Sequence, residues 1–320
     1  MLKSLKSVIL TSLVAITAVG CGTGPRMAMA PGTAVAAQSA KNAPFRLCTY
    51  NVKNLYDVAQ PGLDGGNSTP VKPVKEREAL ALTMHKVNAD VVGLVEIQSK
   101  EALTKFRDQY LGDMGYTNVV FVKGNDPRSS NVALISRFPV TNVVSHKDET
   151  FPVPGLSGPQ KFSRDLLEVH MQAPSGYRFT VFQSHLKSQH GGDEADVKRL
   201  AEGQQVRKII DRFDAANPRA NYAVCGDLND VAQSPPVQAI TNRPNSPLLD
   251  PIGMIGDWIY TYHPKQYRSR IDYILLSKGM AADYIQGSVE VLRKFDEEFT
   301  NYKASDHLPA YLDIQGGSDR

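Results

Sequence analysis

The run Asn221-Tyr222-Ala223-Val224-Cys225 is short, apolar and β-prone, and it leads straight into Gly226-Asp227-Leu228-Asn229-Asp230. A buried strand that ends in Gly-Asp-x-Asn delivers a carboxylate and a carboxamide to one rim of a sheet. The period of two along a strand predicts Asp227 and Asn229 on the same side. An acid beside a neutral amide suits a hard cation, or a water attacking a phosphate. The same residue types also build turns, so the weight rests on what other runs of this kind do.

Five more apolar runs end in the same manner. Phe45 to Val52 is a strand with Asn51 near its end, and Asp90 to Glu96 is a continuous apolar run closed by an acid. Tyr177 to Ser184 runs into His185, and Ile271 to Leu276 carries Asp272 between Ile271 and Tyr273. Asp306 and His307 stand just before Ala310 to Ile314. Charged groups on buried strands cost free energy unless they are paired or bind a metal. Scattered, each is unremarkable; gathered at one rim, they form a site. Asp272 in particular calls for a cation or a histidine.

Between these strands lie helices at Glu76 to Val87, after a Ser99 cap, and at Asp193 to Ala216, where Asn217-Pro218 stops the longest one. Further strands fall at Asn118 to Val122, Asn131 to Ser136, Val140 to His146, Phe162 to Met171 and near Val289 to Leu292. A Pro-rich loop follows Asp230. Strands placed both singly and in adjacent pairs predict a mixed α/β fold in one domain. With 42% hydrophobic and 22% charged residues, a folded core is expected. The net charge of +3 includes Lys3 and Lys6, so only a local basic patch can argue for a polyanion.

Residues 1–21 read as a signal peptide: Lys3 and Lys6, an apolar stretch, then Ala18-Val19-Gly20-Cys21 in the manner of a bacterial lipobox, with Ala18 where Leu is usual. Cleavage further on, after Ala36, is the alternative. Residues 22–43 form a Gly/Ala/Pro tether, and 44–320 the folded domain. The expectation is a monomer exported from a bacterial cytoplasm and anchored through Cys21, or otherwise periplasmic or secreted. Cys48 and Cys225 are expected as buried free thiols, with a bridge between them as the alternative.

Thr49-Tyr50-Asn51-Val52, Val95-Glu96, Ser184-His185-Leu186-Lys187-Ser188, Gly226-Asp227-Leu228-Asn229, Arg270-Ile271-Asp272-Tyr273-Ile274-Leu275 and Ser305-Asp306-His307-Leu308-Pro309 resemble, in order, the motifs of the endonuclease/exonuclease/phosphatase superfamily. That superfamily includes deoxyribonuclease I, abasic-site endonucleases, sphingomyelinases and inositol-polyphosphate phosphatases. The resemblance spans about residues 45–314. It implies two mixed β-sheets packed face to face with flanking helices, a four-layer α/β/β/α sandwich. It also implies a metal-dependent phosphodiesterase. Asn51, Glu96 and Asp306 would hold one or two Mg²⁺ or Mn²⁺ ions. His307, oriented by Asp272, would be a general base or a donor to phosphate. Asp227 and Asn229 would position or activate the water. His185 would contact phosphate or protonate the leaving oxygen, and the two histidines could exchange roles.

Arg164, Lys187 and Arg270 are the candidate substrate contacts. The alternative for Arg164 is a surface ion pair with Asp165, and for Lys187 plain solvation. Asn131 opens a strand near the implied site. His185-Leu186-Lys187-Ser188, the long helix after it, and Tyr260-Thr261-Tyr262 ahead of Arg268-Ser269-Arg270 look most like bacterial extracellular nucleases, which makes nucleic acid, DNA foremost, the expected substrate. A lipid phosphodiesterase or phosphoinositide phosphatase is the alternative, and a non-catalytic binding module the third reading. Against the phosphatase, its usual Cys-Asp-Arg is replaced here by Arg270-Ile271-Asp272-Tyr273.

Overall fold

In the computed structural model the described residues are 43–62, 66–242, 244, 247–293 and 303–317. The leader and nearly all of the tether therefore lie outside them. Two mixed sheets carry the architecture. The first orders its strands β10-β11-β1-β2-β4-β3: β1 Pro44–Leu55, β2 Val91–Ile97, β3 Asn118–Phe121, β4 Asn131–Ser136, β10 Glu290–Val291 and β11 Ala310–Gln315. The second runs β5 Val140–Ser145, β6 Leu166–Gln172, β7 Arg178–His185, β8 Tyr222–Asp227 and β9 Asp272–Leu276, in that order. Only β1/β2 and β7/β8 pair in parallel; the other pairs are antiparallel.

The period of two explains why the runs read as wholly apolar. Leu47, Val91, Val132 and Leu134 point between the sheets and meet Leu167, Val169, Val181, Cys225 and Ile274. Their neighbours Cys48, Val92, Ala133 and Ile135 point outward. There they are covered by α1 Val74–Val87 and α2 Lys100–Tyr110 through Leu80, Met84, Leu103 and Phe106. Phe182, Val224, Tyr273 and Leu275 are covered by α3 Gly192–Ala216 through Val206, Ile209 and Ile210. Central strands are thus buried on both faces, which gives the four-layer α/β/β/α sandwich. Cys48 and Cys225 are free and buried in different clusters, so the bridge is ruled out. No helix among the described residues is long and apolar enough to cross a membrane.

Several boundaries differ from expectation. β1 runs on past Asn51, through a register irregularity in which Lys53 and Asn54 take positive φ. The strand after the 146 turn begins only at Leu166, because Asp165 accepts hydrogen bonds from Ser145 Oγ (2.6 Å) and the His146 amide (3.0 Å). The Pro-rich loop contains a short helix, α4 Pro235–Thr241, since Pro at a first helical turn has no amide to leave unsatisfied.

Gly226 is the tightest backbone position. Its φ is +131°, and a Cβ there would lie 1.9 Å from the Ser184 carbonyl oxygen on the neighbouring strand. A glycine is required, and it sets the strand end that presents Asp227. Gly226→Ala is expected to lower the unfolding free energy by more than about 2 kcal/mol, read as a fall in the urea midpoint. An unchanged midpoint would contradict this.

Candidate active site

β7, β8 and β9 place His185, Asp227 and Asp272 side by side: His185 is opposite Asp227, and Asp227 opposite Asp272. All three are buried. From the loop before β11, His307 reaches over them and its Nδ1 lies 2.8 Å from Asp272 Oδ2. The Asp227 Oδ2 lies 3.6 Å from His185 Nε2 and 3.7 Å from His307 Nε2. Asn51, from the other sheet, donates its amide to Asp227 Oδ2 (3.0 Å) and to Glu96 Oε1 (3.2 Å), and lies 3.3 Å from His307 Nε2. One carboxamide therefore ties the two sheets together at the cluster.

Glu96 gets there by a local irregularity. The β2/β4 register shifts between Val95 and Ile97, and Glu96 adopts φ +67°. A bulge re-aims a side chain out of the strand's alternation. The second Glu96 oxygen accepts the Asn54 amide at 3.0 Å. Asp306 stands at the open side, with Lys53 Nζ 3.9 Å from its carboxylate. Asn229 does not share a strand face with Asp227, because β8 ends at Asp227 and Asn229 turns into the left-handed region at φ +55°. It stays in the cluster by other means: its amide hydrogen goes to Asp227 Oδ1 (2.8 Å) and its side-chain nitrogen donates to the Leu186 carbonyl (3.0 Å).

Burial and neighbouring charge separate the two imidazoles. Burial alone disfavours a charged His307, but Asp272, Asp227 and Asp306 outweigh it and push its pKa up to about 10. His185 is held well below its ordinary value by burial, then by the nearby Arg164 cation and by His307. Its Nδ1 is buried without a hydrogen-bond partner. Burial first, then the Asp272 charge, raises Asp227 to about 7, with His307 and the Asn229 and Asn51 hydrogen bonds opposing. The site thus holds a cationic ring, a neutral ring and a carboxyl that titrates near neutrality.

The oxygen-rich donors fit a hard divalent cation. Ligand atoms of Asp227, Asp272 and His307 all lie within 4.8 Å of one another. Asp272 Oδ2 and His307 Nδ1 are taken up by their 2.8 Å hydrogen bond, while Asp272 Oδ1 is buried without a partner and His307 Nε2 faces Asp227 Oδ2 at 3.7 Å. Glu96 and Asp306 are less buried than these, which leaves room for the waters that such an ion keeps. Asn51 offers nitrogen to the cluster, while its Oδ1 accepts the Lys53 amide. To serve as a ligand its amide would have to turn over.

The three basic candidates fall differently. Arg164 is buried, donates to the Leu186 carbonyl (2.9 Å) and lies 3.1 Å from Asp126. Its ion partner is therefore Asp126, not Asp165, and it is not at the surface. Lys187 is half-buried beside Arg164, with its amine on the His190 carbonyl (2.9 Å). Arg270 is committed elsewhere: it bonds Asp250 at 2.8 Å and lies over the Tyr273 ring at 4.7 Å. That corrects its expected place among the substrate contacts. Asn131 is a structural clamp, holding Gly124, Ile97, Gln98 and Ser129 backbone groups.

Supporting residues emerge that the motifs did not single out. Ser305 Oγ donates to the Asn51 carbonyl and accepts the His307 amide. Thr261 Oγ1 accepts the Ile271 and Asp272 amides. Glu202, fully buried on α3, accepts the Ser163 and Lys187 amides at 2.7 Å each and so fixes both loops that carry Arg164 and Lys187. An acid in line with Val206 and Ile209 on a buried helix face was the available signal.

The Endonuclease/Exonuclease/phosphatase family matches residues 48–307, most of the chain. Among curated proteins the sequence matches none. Similar solved structures include the human Nocturnin catalytic domain with bound sulfate, 19% identical, TM-score 0.58, covering 84% of this chain and 93% of that one. An endonuclease/exonuclease/phosphatase from Bacteroides vulgatus is 17% identical, TM-score 0.59, covering 85% and 98%. D. rerio TDP2 complexed with single strand DNA product is 18% identical, TM-score 0.54, covering 85% and 99%.

In metal-free protein His307 is expected to stay protonated through neutral pH, and Asp272→Asn to move its titration down. Imidazole shifts followed by NMR check this; titration near 6.5 in both proteins would contradict it. By linkage, the stability His307 contributes is full below pH 6.5 and is lost as pH rises toward about 10.

Proposed function

This chain belongs to the endonuclease/exonuclease/phosphatase family, and we propose that it is a metal-dependent phosphodiesterase acting on nucleic acid, DNA foremost, after export from a bacterial cell. The observation that carries the reading is the His185–Asp227–His307–Asp272 chain joined to Glu96 through Asn51.

Phosphodiester hydrolysis needs a water stripped of a proton, neutralised phosphoryl oxygens and a stabilised leaving oxygen. Mg²⁺ or Mn²⁺ held by Glu96 and Asp306, with Asn51 if its amide turns, would neutralise phosphoryl charge and keep Asp227 ionised at neutral pH. Asp227, fixed through Asn229 and Asn51, takes the proton of the attacking water. His307 as an imidazolium is a hydrogen-bond donor to a phosphoryl oxygen rather than a base, with Asp272 fixing its ring orientation and favouring its charge. His185, neutral, and Arg164 beside it contact phosphate.

A polyanion is favoured by the groove of about 670 Å³ next to these residues, lined by Arg128, Lys161, Arg164, Lys187 and Lys198 among others. The D. rerio relative was solved with a single-strand DNA product, which supports nucleic acid over lipid. The leader supports export, with Cys21 as the lipid-bearing residue on a monomeric enzyme.

The test uses protein lacking residues 1–43 with plasmid DNA, RNA, sphingomyelin and a phosphoinositide, in Mg²⁺, Mn²⁺ or chelator. Nucleic-acid cleavage lost in chelator is expected; lipid hydrolysis alone, or inertness, would overturn the reading. His307→Ala and Asp227→Ala are each expected to lower turnover by roughly a thousandfold or more with the fold intact, and wild-type rates would contradict the roles. In cells, Cys21→Ser should move the activity from the membrane to the soluble fraction, and an unmoved activity removes the anchor.

A further inference from the structure

Exposure alternates along residues 258–262. Trp258 is 57% exposed, Ile259 is buried, Tyr260 is half-exposed, Thr261 is buried and Tyr262 is half-exposed. The buried members anchor the segment. Ile259 joins the inter-sheet core. Thr261 accepts the Leu308 amide on its carbonyl (2.7 Å) as well as the Ile271 and Asp272 amides on its hydroxyl. The Trp258 and Tyr262 rings stand outward on a backbone tied to the catalytic strand, and the partly exposed Tyr260 ring between them also packs against the inter-sheet core. Their row ends at the site, where the Tyr262 ring packs against His307 with centroids 4.9 Å apart. The two rings farther out each carry a cation on one face: Arg268 lies 4.9 Å from the Tyr260 ring and Arg293 4.5 Å from Trp258. Beside Trp258 and Tyr260 is a cavity of about 430 Å³, also lined by Ile255, Val289 and Val291.

We propose that Trp258, Tyr260 and Tyr262 form a stacking platform for the unpaired bases of a strand whose scissile phosphate sits at His307, so that the enzyme prefers single-stranded over double-stranded nucleic acid. The inference rests on the nuclease reading above and adds strandedness to it. Every base has a π-face that an aromatic ring can take, while guanidinium groups meet the phosphates between them. A duplex keeps those faces covered. The competing occupant of an exposed Trp is a membrane. Among the described residues of this segment only Met254 adds a large exposed aliphatic side chain, which is little to hold a bilayer, and the row leads into the phosphate site.

Trp258 is the chain's single tryptophan, so its emission reports on this surface alone. Full-length protein in chelator is titrated with a short labelled oligothymidylate, with a duplex of the same length, and with phosphatidylcholine vesicles. Quenching by the single strand, and much less by the duplex, is expected. Trp258→Ala and Tyr260→Ala should each raise KM for a single-stranded oligonucleotide about tenfold. Turnover of bis(p-nitrophenyl) phosphate should stay unchanged, and Trp258→Phe should recover most of the loss. Binding seen by label anisotropy with unmoved emission, or a blue shift with vesicles only, would overturn the platform. Cleavage of nucleic acid with unaltered KM in both alanine variants sinks this inference and leaves the nuclease reading standing; absence of any nucleic-acid cleavage sinks both.

Discussion

Asp227 and Asp272 face each other across adjacent strands, both buried. Two like charges about 4 Å apart repel by about 4 kcal/mol even at an effective dielectric near 20. The arrangement is tolerable because His307 comes down on them as a cation and because Asp227 gives up part of its charge near neutrality. Much of what surrounds the cluster serves that ring. Ser305 ties its backbone to β1, and Thr261 fixes the strand under Asp272. The same electrostatics leave His185 neutral, so two imidazoles a few ångströms from one carboxylate have opposite characters.

The sandwich is what allows this to be built. Each sheet supplies one parallel pair, β1/β2 and β7/β8, and the ends of those pairs meet at one rim. Helices cover the outer faces and the inner faces cover each other, so polar side chains on the central strands are admitted chiefly where strands end. Gly226 lets β8 pass close to β7 just before Asp227, and Asn51 spans from one sheet to the carboxylates of both.

Much of this was legible in the residue order. Continuous apolar runs located the central strands because both of their faces are buried, and the polar residues closing them are the ones that converge. Exceptions have physical causes. Asn229 reaches the cluster by a left-handed turn, which strand alternation does not describe. Glu96 depends on a bulge that apolarity does not reveal. Arg270 looks available in a motif, but Asp250, twenty residues earlier, neutralises it. Arg164 finds Asp126 rather than its sequence neighbour because Asp165 is already engaged by Ser145 and His146. Glu202 acts through backbone amides of distant loops, a partnership that only the tertiary fold creates.

We propose a division of labour in which Asp272 and His307 form a proton-holding pair and a divalent cation binds on the Glu96 side. The decisive experiment is anomalous diffraction from crystals soaked in Mn²⁺. A peak against Glu96 and Asp306, with the Asp272–His307 hydrogen bond intact, is expected. A peak between Asp227, Asp272 and His307 would contradict this division of labour, whether or not that bond persists.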